Sequence, residues 1–172
     1  MGLVGWLAGG GQFNESQAKE KMMTTKQMTL WQVIDLLAQQ MPTTHEKLER
    51  VLGILLPEKK RDQHLIHWQW AGSLALRDHV QIVGLDLVLG PKGEIGVNTG
   101  MAFQLDKALC ISLDEVRERY GVLTITQHPR GRSLQETTVH SSKQTWGRLT
   151  FAFKEESPDC LFEVAFNPEK QN

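Results

Sequence analysis

This chain of 172 residues has few cysteines, a single tyrosine and almost no net charge. Its 2 cysteines are too few for a disulfide framework, and their spacing fits no zinc motif, so the fold must depend on a hydrophobic core. The 19 basic and 20 acidic residues give a net charge of -1, which creates no overall field to attract nucleic acid. No run approaches the ~20 apolar residues of a transmembrane helix. We therefore expect no nucleic-acid partner and no integral membrane segment.

The two cysteines, Cys110 and Cys160, allow two interpretations. In an oxidising compartment they would pair as one disulfide. Free cysteines are also common as small buried hydrophobic residues, and the apolar neighbours Leu109 and Ile111 favour that interpretation for Cys110. We expect two buried, unpaired thiols.

Residues 1–27 differ from the rest of the chain. Their apolar run at 3–8 is followed by three glycines, is shorter than that of a usual signal peptide and has no basic segment before it. Met22 and Met23 resemble a natural start. We interpret 1–27 as a flexible leader, a tag or a degenerate signal, and 28–172 as a single α+β domain. A cytoplasmic and a periplasmic location in a bacterium both stay open.

Helical and strand periodicities follow one another along the domain. Apolar residues at helical spacing predict a helix over 29–41, with Thr29 and Gln32 as a capping box and Pro42 as its end. Capping residues and a terminal glycine predict two shorter helices, over 43–53 and 112–121. Alternation of apolar and polar residues predicts strands over the segments 64–72, 79–90, 96–105, 134–140, 147–154 and 160–166.

The stretches THEKLERVLG (44–53) and SLDEVRERYG (112–121) share one pattern. Each begins with a hydroxyl residue, has acids in its first turn and ends in glycine. Each is followed by an irregular link, a strand and a hairpin of two longer strands. We predict two helix-plus-antiparallel-hairpin repeats, about 29–105 and about 110–166. Together they would form one continuous antiparallel sheet of about six strands with the helices on one face.

The segments SLDEVRERYG and WGRLTFAFKEESPDCLFEVAF resemble the repeat shared by the β-lactamase inhibitory protein and the small outer-membrane assembly lipoproteins of the BamE/SmpA type. In that repeat a short helix ending in Leu-Gly or Tyr-Gly precedes a loop, a strand and a hairpin whose strands read apolar-x-Phe. The resemblance covers about 43–166 and implies the same fold and a concave protein-binding sheet. The lipoprotein cysteine and the two cysteine pairs of the secreted inhibitor are missing, so no contact residue is carried over.

No residue pattern in the sequence is typical of a particular reaction. His64 and His67 are three positions apart on a predicted strand and point to opposite faces, so they cannot hold a metal together. The glycines at 9–11 and 90–93 do not lie between a strand and a helix, as a phosphate-binding loop would. We predict no catalytic residue, no metal and no cofactor.

Strand alternation separates the bulky apolar side chains from a second, more polar set. We expect Trp68 and Trp70 in the core, although the pair could instead form a binding platform. A mixed polar and apolar sheet face is more typical of a protein-interaction surface than of a catalytic pocket. We predict a non-catalytic protein-binding module, an inhibitor or immunity protein that neutralises a bacterial toxin or enzyme. The alternative is a small-ligand carrier with an apolar pocket. The predicted partner-binding residues are His67, Gln69, Asp86, Asn98, Gln104, Arg148, Thr150 and Glu163.

Overall fold

The computed structural model describes residues 23–171, which form an α+β fold. After a single 3-10 turn at Thr25–Gln27, the helices in this part of the chain are α1 (Leu30–Gln39), α2 (His45–Leu52) and α3 (Leu113–Tyr120). None of them is long and apolar enough to cross a membrane. The strands are β1 (Glu58–Arg61), β2 (Ile66–Ala75), β3 (Gln81–Leu89), β4 (Gly100–Leu105), β5 (Thr124–Gln127), β6 (Thr137–Gln144), β7 (Gly147–Lys154) and β8 (Leu161–Pro168).

The helices begin where the sequence places capping residues. Thr29 accepts a hydrogen bond from the backbone N–H of Gln32, whose side chain accepts one from the N–H of Thr29. Ser112 and Glu115 form the same capping box at the start of α3. Each box satisfies backbone donors that have no partner within the helix. Four residues of the apolar stripe predicted for α1 are buried in the core: Leu30, Val33, Ile34 and Leu37. The fifth, Met41, lies beyond the end of the helix and is partly buried.

The strands form one antiparallel sheet in the order β1-β2-β3-β4-β8-β7-β6-β5. β4 and β8 pair at its centre, where Phe103 lies opposite Val164. The prediction of a six-stranded sheet is wrong, because the sheet has 8 strands. The additional strands are β1 and β5 at the two edges. All four residues of each are exposed, so neither strand shows the alternation that reveals a half-buried strand in a sequence.

The strand predicted over 96–105 begins only at Gly100. Asn98 lies in the turn before it, at a φ of 64°, a conformation that asparagine adopts more readily than most residues. Val97, which lies within the predicted strand, is 86% exposed. The prediction that Asn98 belongs to a strand face is therefore wrong.

The bulky strand residues lie together on one side of the sheet, called here the core face. Trp68 is only 9% exposed, and its ring stacks on His45 of α2 with 5.0 Å between the ring centroids. Phe151 contacts Tyr120 of α3, with the centroids 5.1 Å apart. The prediction that Trp68 is a core residue is confirmed, whereas Trp70 is only partly buried at the margin of the core.

The prediction of two unpaired, buried thiols is wrong. Cys110 and Cys160 form a disulfide with their Cα atoms 4.9 Å apart, and Cys110 is exposed. Next to the bond, the N–H of Leu161 donates to the carbonyl of Ile111 at 2.8 Å. This backbone contact holds the segment before α3 against the start of β8, so the two cysteines lie side by side.

Candidate functional site

Polar and small side chains occupy the side of the sheet opposite to the core face, called here the polar face. Cross-strand neighbours on this face form two rows, each of which crosses seven strands. The first row is Gln69, Asp86, Ala102, Ala165, Thr150, Ser141 and Thr124, and the second is Ala71, Gly84, Gln104, Glu163, Ala152, Val139 and Gln127.

Asp86 lies at the centre of a hydrogen-bonded network on the polar face. Its Oδ1 accepts from His67 Nε2 at 2.7 Å and from Gln69 Nε2 at 3.1 Å. Its Oδ2 accepts from Gln104 Nε2 at 3.3 Å. Because an ionised carboxylate can only accept, His67 carries its proton on Nε2 here. The Asp86 side chain is 30% exposed, and both of its oxygens have partners.

The amide of Gln104 links Asp86 to a second carboxylate. Gln104 Nε2 also donates to Glu163 Oε2 at 2.7 Å. The neighbouring position on β3 is Gly84, where a Cβ would lie 2.5 Å from Gln104 Oε1, so glycine leaves the room that this side chain fills. The resulting network consists of His67, Gln69, Asp86, Gln104 and Glu163.

The environment of Glu163 favours its neutral form. Burial is the main reason that the pKa of Glu163 is raised, and the negative charge of Asp86 raises it further. The hydrogen bond from Gln104 and the positive charge of Lys154 lower the pKa but do not cancel the effect of burial. The polar face therefore holds two carboxylates close together, one of which binds its proton more tightly than an exposed glutamate.

The structure brings five of the eight predicted partner-binding residues into this network. Arg148 lies on the same face of β7 and is exposed. Thr150 is two residues further along β7, but it is only 8% exposed and so offers little surface to a partner. Asn98 lies apart from the network, in the turn before β4.

Sequence reasoning missed Lys154, which adds a positive charge at the end of β7. Its Nζ donates to Gln135 Oε1 at 2.8 Å and lies 3.8 Å from the centre of the Phe162 ring. This contact is a cation–π interaction. The position of Lys154 at the end of an alternating strand gave no signal, because lysine is common on exposed strand ends.

The network fixes the positions of its donors and acceptors. The carboxylate of Asp86 orients the imidazole of His67, and none of the five residues carries a hydroxyl or a thiol. Within residues 23–171, no group of three or more potential metal ligands lies close enough together to hold an ion. What the arrangement offers is a fixed set of hydrogen-bonding groups on a sheet surface.

Searches of protein families, of curated proteins and of solved structures find no match to this chain. The resemblance to the inhibitor and lipoprotein repeat stays a prediction from the sequence.

Proposed function

We propose that this chain is a non-catalytic protein-binding module that uses its polar face to bind and neutralise another protein. In this proposal it acts as an inhibitor or an immunity protein against a bacterial toxin or enzyme. The supporting observation is the network on the polar face, which spans four neighbouring strands. Side chains that are already held in place lose little conformational entropy when a partner binds, which favours affinity.

The order of elements supports an architecture of two related repeats. α2 is followed by β1 to β4, α3 is followed by β5 to β8, and the two sets of strands meet where β4 pairs with β8. In the proposed architecture all helices cover the core face and leave the polar face open. The contacts of His45 with Trp68 and of Tyr120 with Phe151 support this placement, because both partners on the sheet belong to the core face.

The centre of the polar face is suited to close contact. Ala102 and Ala165 lie opposite each other where the two halves meet, and Asp86 lies opposite Ala102 on the next strand. Small side chains let a partner approach the backbone, and the two carboxylates beside them favour a donor or cation on the partner. Such a partner would cover both halves of the sheet at once.

The substitution Ala102→Arg tests this use of the polar face. We expect a change in the free energy of unfolding of less than about 1 kcal/mol, because Ala102 points away from the core. The affinity for a protein that copurifies from the native cell should fall at least about tenfold, because the long side chain prevents close approach. The measurements are urea denaturation and calorimetric titration with the purified partner.

Leu134→Arg is the matched control, because Leu134 is 65% exposed in a loop outside the polar face. It should leave the affinity unchanged. Full affinity of the Ala102→Arg variant for the partner would contradict the proposal.

A further inference from the structure

One section of the edge of β2 lies beyond the reach of β1. β2 has 10 residues, but β1 pairs with only the first three of them. The N–H of Gln69 still donates to the carbonyl of Pro57 at 3.0 Å, on the side where β1 lies. Every second residue of a strand directs its N–H and C=O to the same side, so Ala71 directs both groups to this side as well. Among the described residues, the only strand that pairs with β2 at Ala71 is β3.

An open groove of about 830 Å³ adjoins this edge, which has no strand partner among residues 23–171. Trp68 and Trp70 line it from β2, and Leu55 lines it from the segment between α2 and β1. Leu55 is 83% exposed and Trp70 is partly exposed, so apolar surface is available beside the backbone groups of Ala71. Tryptophan is enriched among the residues that contribute most to binding in protein interfaces.

The rim of the groove is acidic. Glu46, Glu49 and Glu58 line it. Arg61 is the one lysine or arginine among the described lining residues, and it already pairs with Glu58 at 2.7 Å. Glu46 is 76% exposed, and no lysine or arginine nitrogen of the described residues lies within 4.0 Å of its carboxylate; the His45 ring lies at 3.8 Å. A basic side chain on a partner would therefore find an uncompensated carboxylate at this rim.

We propose that this edge groove, formed by Leu55, Trp70 and the free edge at Ala71, binds an extended segment of the partner protein. The segment adds a strand to β2, places one large apolar side chain against Leu55 and Trp70, and places a basic side chain near Glu46. This inference rests on the proposed function and specifies how the partner would bind. Gln69 lines the groove and also belongs to the polar-face network, so the two surfaces adjoin each other. One partner can thus reach both surfaces.

The two ends of β2 differ in a way that favours binding of a partner segment at the uncovered end. The strand β1 reads Glu-Lys-Lys-Arg, and charged residues on an edge strand disfavour pairing with another chain. The section of β2 that β1 leaves uncovered contains Ala71 and Ser73 and has no charged residue. A second copy of this chain is a poorer fit, because a two-fold axis through the groove would bring one acidic rim against the other.

Synthetic peptides test the inference on the full chain. The probe is a capped heptapeptide, Thr-Lys-Thr-Leu-Thr-Lys-Thr, in which the leucine and both lysines lie on one face of a strand. Its controls are a peptide with glutamate in place of both lysines and one with N-methylated central residues. We expect the lysine peptide to shift the NMR resonances of Ala71 and Ser73 and to slow hydrogen exchange at the Ala71 amide. It should bind roughly fivefold more tightly than the glutamate peptide, and the N-methylated peptide should not bind.

Two variants make the test specific. Glu46→Lys should reverse the preference between the lysine and glutamate peptides, because its charge lies at the rim. Leu134→Glu should leave the preference unchanged. The inference is overturned if the lysine peptide leaves the Ala71 amide unaffected at millimolar concentration. It is also overturned if that amide is already protected in the free chain, which would show that the edge is occupied without a partner.

The two proposals fail in different ways once a partner has been purified. If Ala102→Arg abolishes binding but Glu46→Lys has no effect, the polar face is the binding site and the edge groove is not. If Ala102→Arg leaves binding unchanged, the proposed use of the polar face is contradicted, whatever the effect of Glu46→Lys.

Discussion

Gly121 at the end of α3 has a φ of 73° and a ψ of -145°, which is not the left-handed helical conformation found at Gly53 after α2. This region of backbone conformation is open to glycine and strained for other residues. We expect Gly121→Ala to lower the free energy of unfolding by about 1–3 kcal/mol, measured by urea denaturation.

Gly96 provides the matched control for this prediction. Neither glycine has an atom within 4 Å of the position that a Cβ would occupy, but only Gly121 has a strained φ. Gly96→Ala should therefore change the free energy of unfolding by less than about 0.5 kcal/mol. Equal effects of the two substitutions would show that the conformation of Gly121 is not what limits its replacement.

Glu163 should make the stability of the folded chain depend on pH. Burial raises the pKa of Glu163 above its ordinary value of 4.5, so the unfolded chain loses this proton at a lower pH than the folded chain does. The folded state is favoured by this group below about pH 4.5, and that contribution is lost as the pH rises through the raised pKa. The substitution Glu163→Gln keeps a side-chain oxygen that can accept the hydrogen bond from Gln104, and it removes the group that titrates.

We therefore expect Glu163→Gln to be more stable than the natural chain near neutral pH, with the difference shrinking to about zero below roughly pH 4. Urea denaturation of both proteins at a series of pH values measures the difference directly. A constant difference at every pH would show that the pKa of Glu163 is the same in the folded and unfolded chains.

At the scale of elements, the sequence predicts those helices and strands that bury one side. α1 and α3 follow from their caps and apolar spacing, and β7 and β8 follow from alternation. β1 and β5 could not be predicted in this way, because a strand with no buried residue has no alternation to detect. Local periodicity reports burial, and it carries no information about strands that only cover an edge.

The sequence also could not predict which distant segments pair with each other, or in which register. Alternation placed Asp86 and Gln104 on a polar face, but their hydrogen bond depends on the register of β3 against β4. That register includes an irregularity between Ile82 and Gly84, which no pattern in the sequence indicates. The disulfide has the same origin, since it depends on the contact between Ile111 and Leu161.

The disulfide joins two connecting segments and should contribute to stability. Cys110 and Cys160 are 50 positions apart, and the loss of loop entropy in the unfolded chain corresponds to about 4 kcal/mol. We expect replacement of both cysteines by serine to lower the free energy of unfolding by about 2–4 kcal/mol. Denaturation of the natural chain with and without a thiol reductant provides the comparison, because reduction should have the same effect as the double substitution. If reduction changes nothing, the bond does not stabilise the fold.

At the scale of the whole molecule, the two halves share one core and one polar face. The buried apolar residues form a single cluster that includes Leu87 of β3 and Phe151 of β7. The hydrogen bond between Gln104 of β4 and Glu163 of β8 crosses the junction on the other side of the sheet. The link between Gln104 and Glu163 therefore forms only when both halves are folded and paired.

This arrangement predicts that the two halves unfold together. Phe103 is fully buried in β4 next to Phe166 of β8, with the ring centroids 6.1 Å apart. Phe103→Ala should lower the free energy of unfolding by about 3–5 kcal/mol, and hydrogen exchange should speed up by the same factor in β2 and in β6.

Val97→Ala, at an 86% exposed position, should leave exchange unchanged in both strands. If the Phe103→Ala variant does not fold, Phe103→Leu provides the same comparison at a smaller cost. Faster exchange in β2 alone, or two separate unfolding transitions, would mean that each half is stable without the other and that the β4–β8 pair joins two independent units.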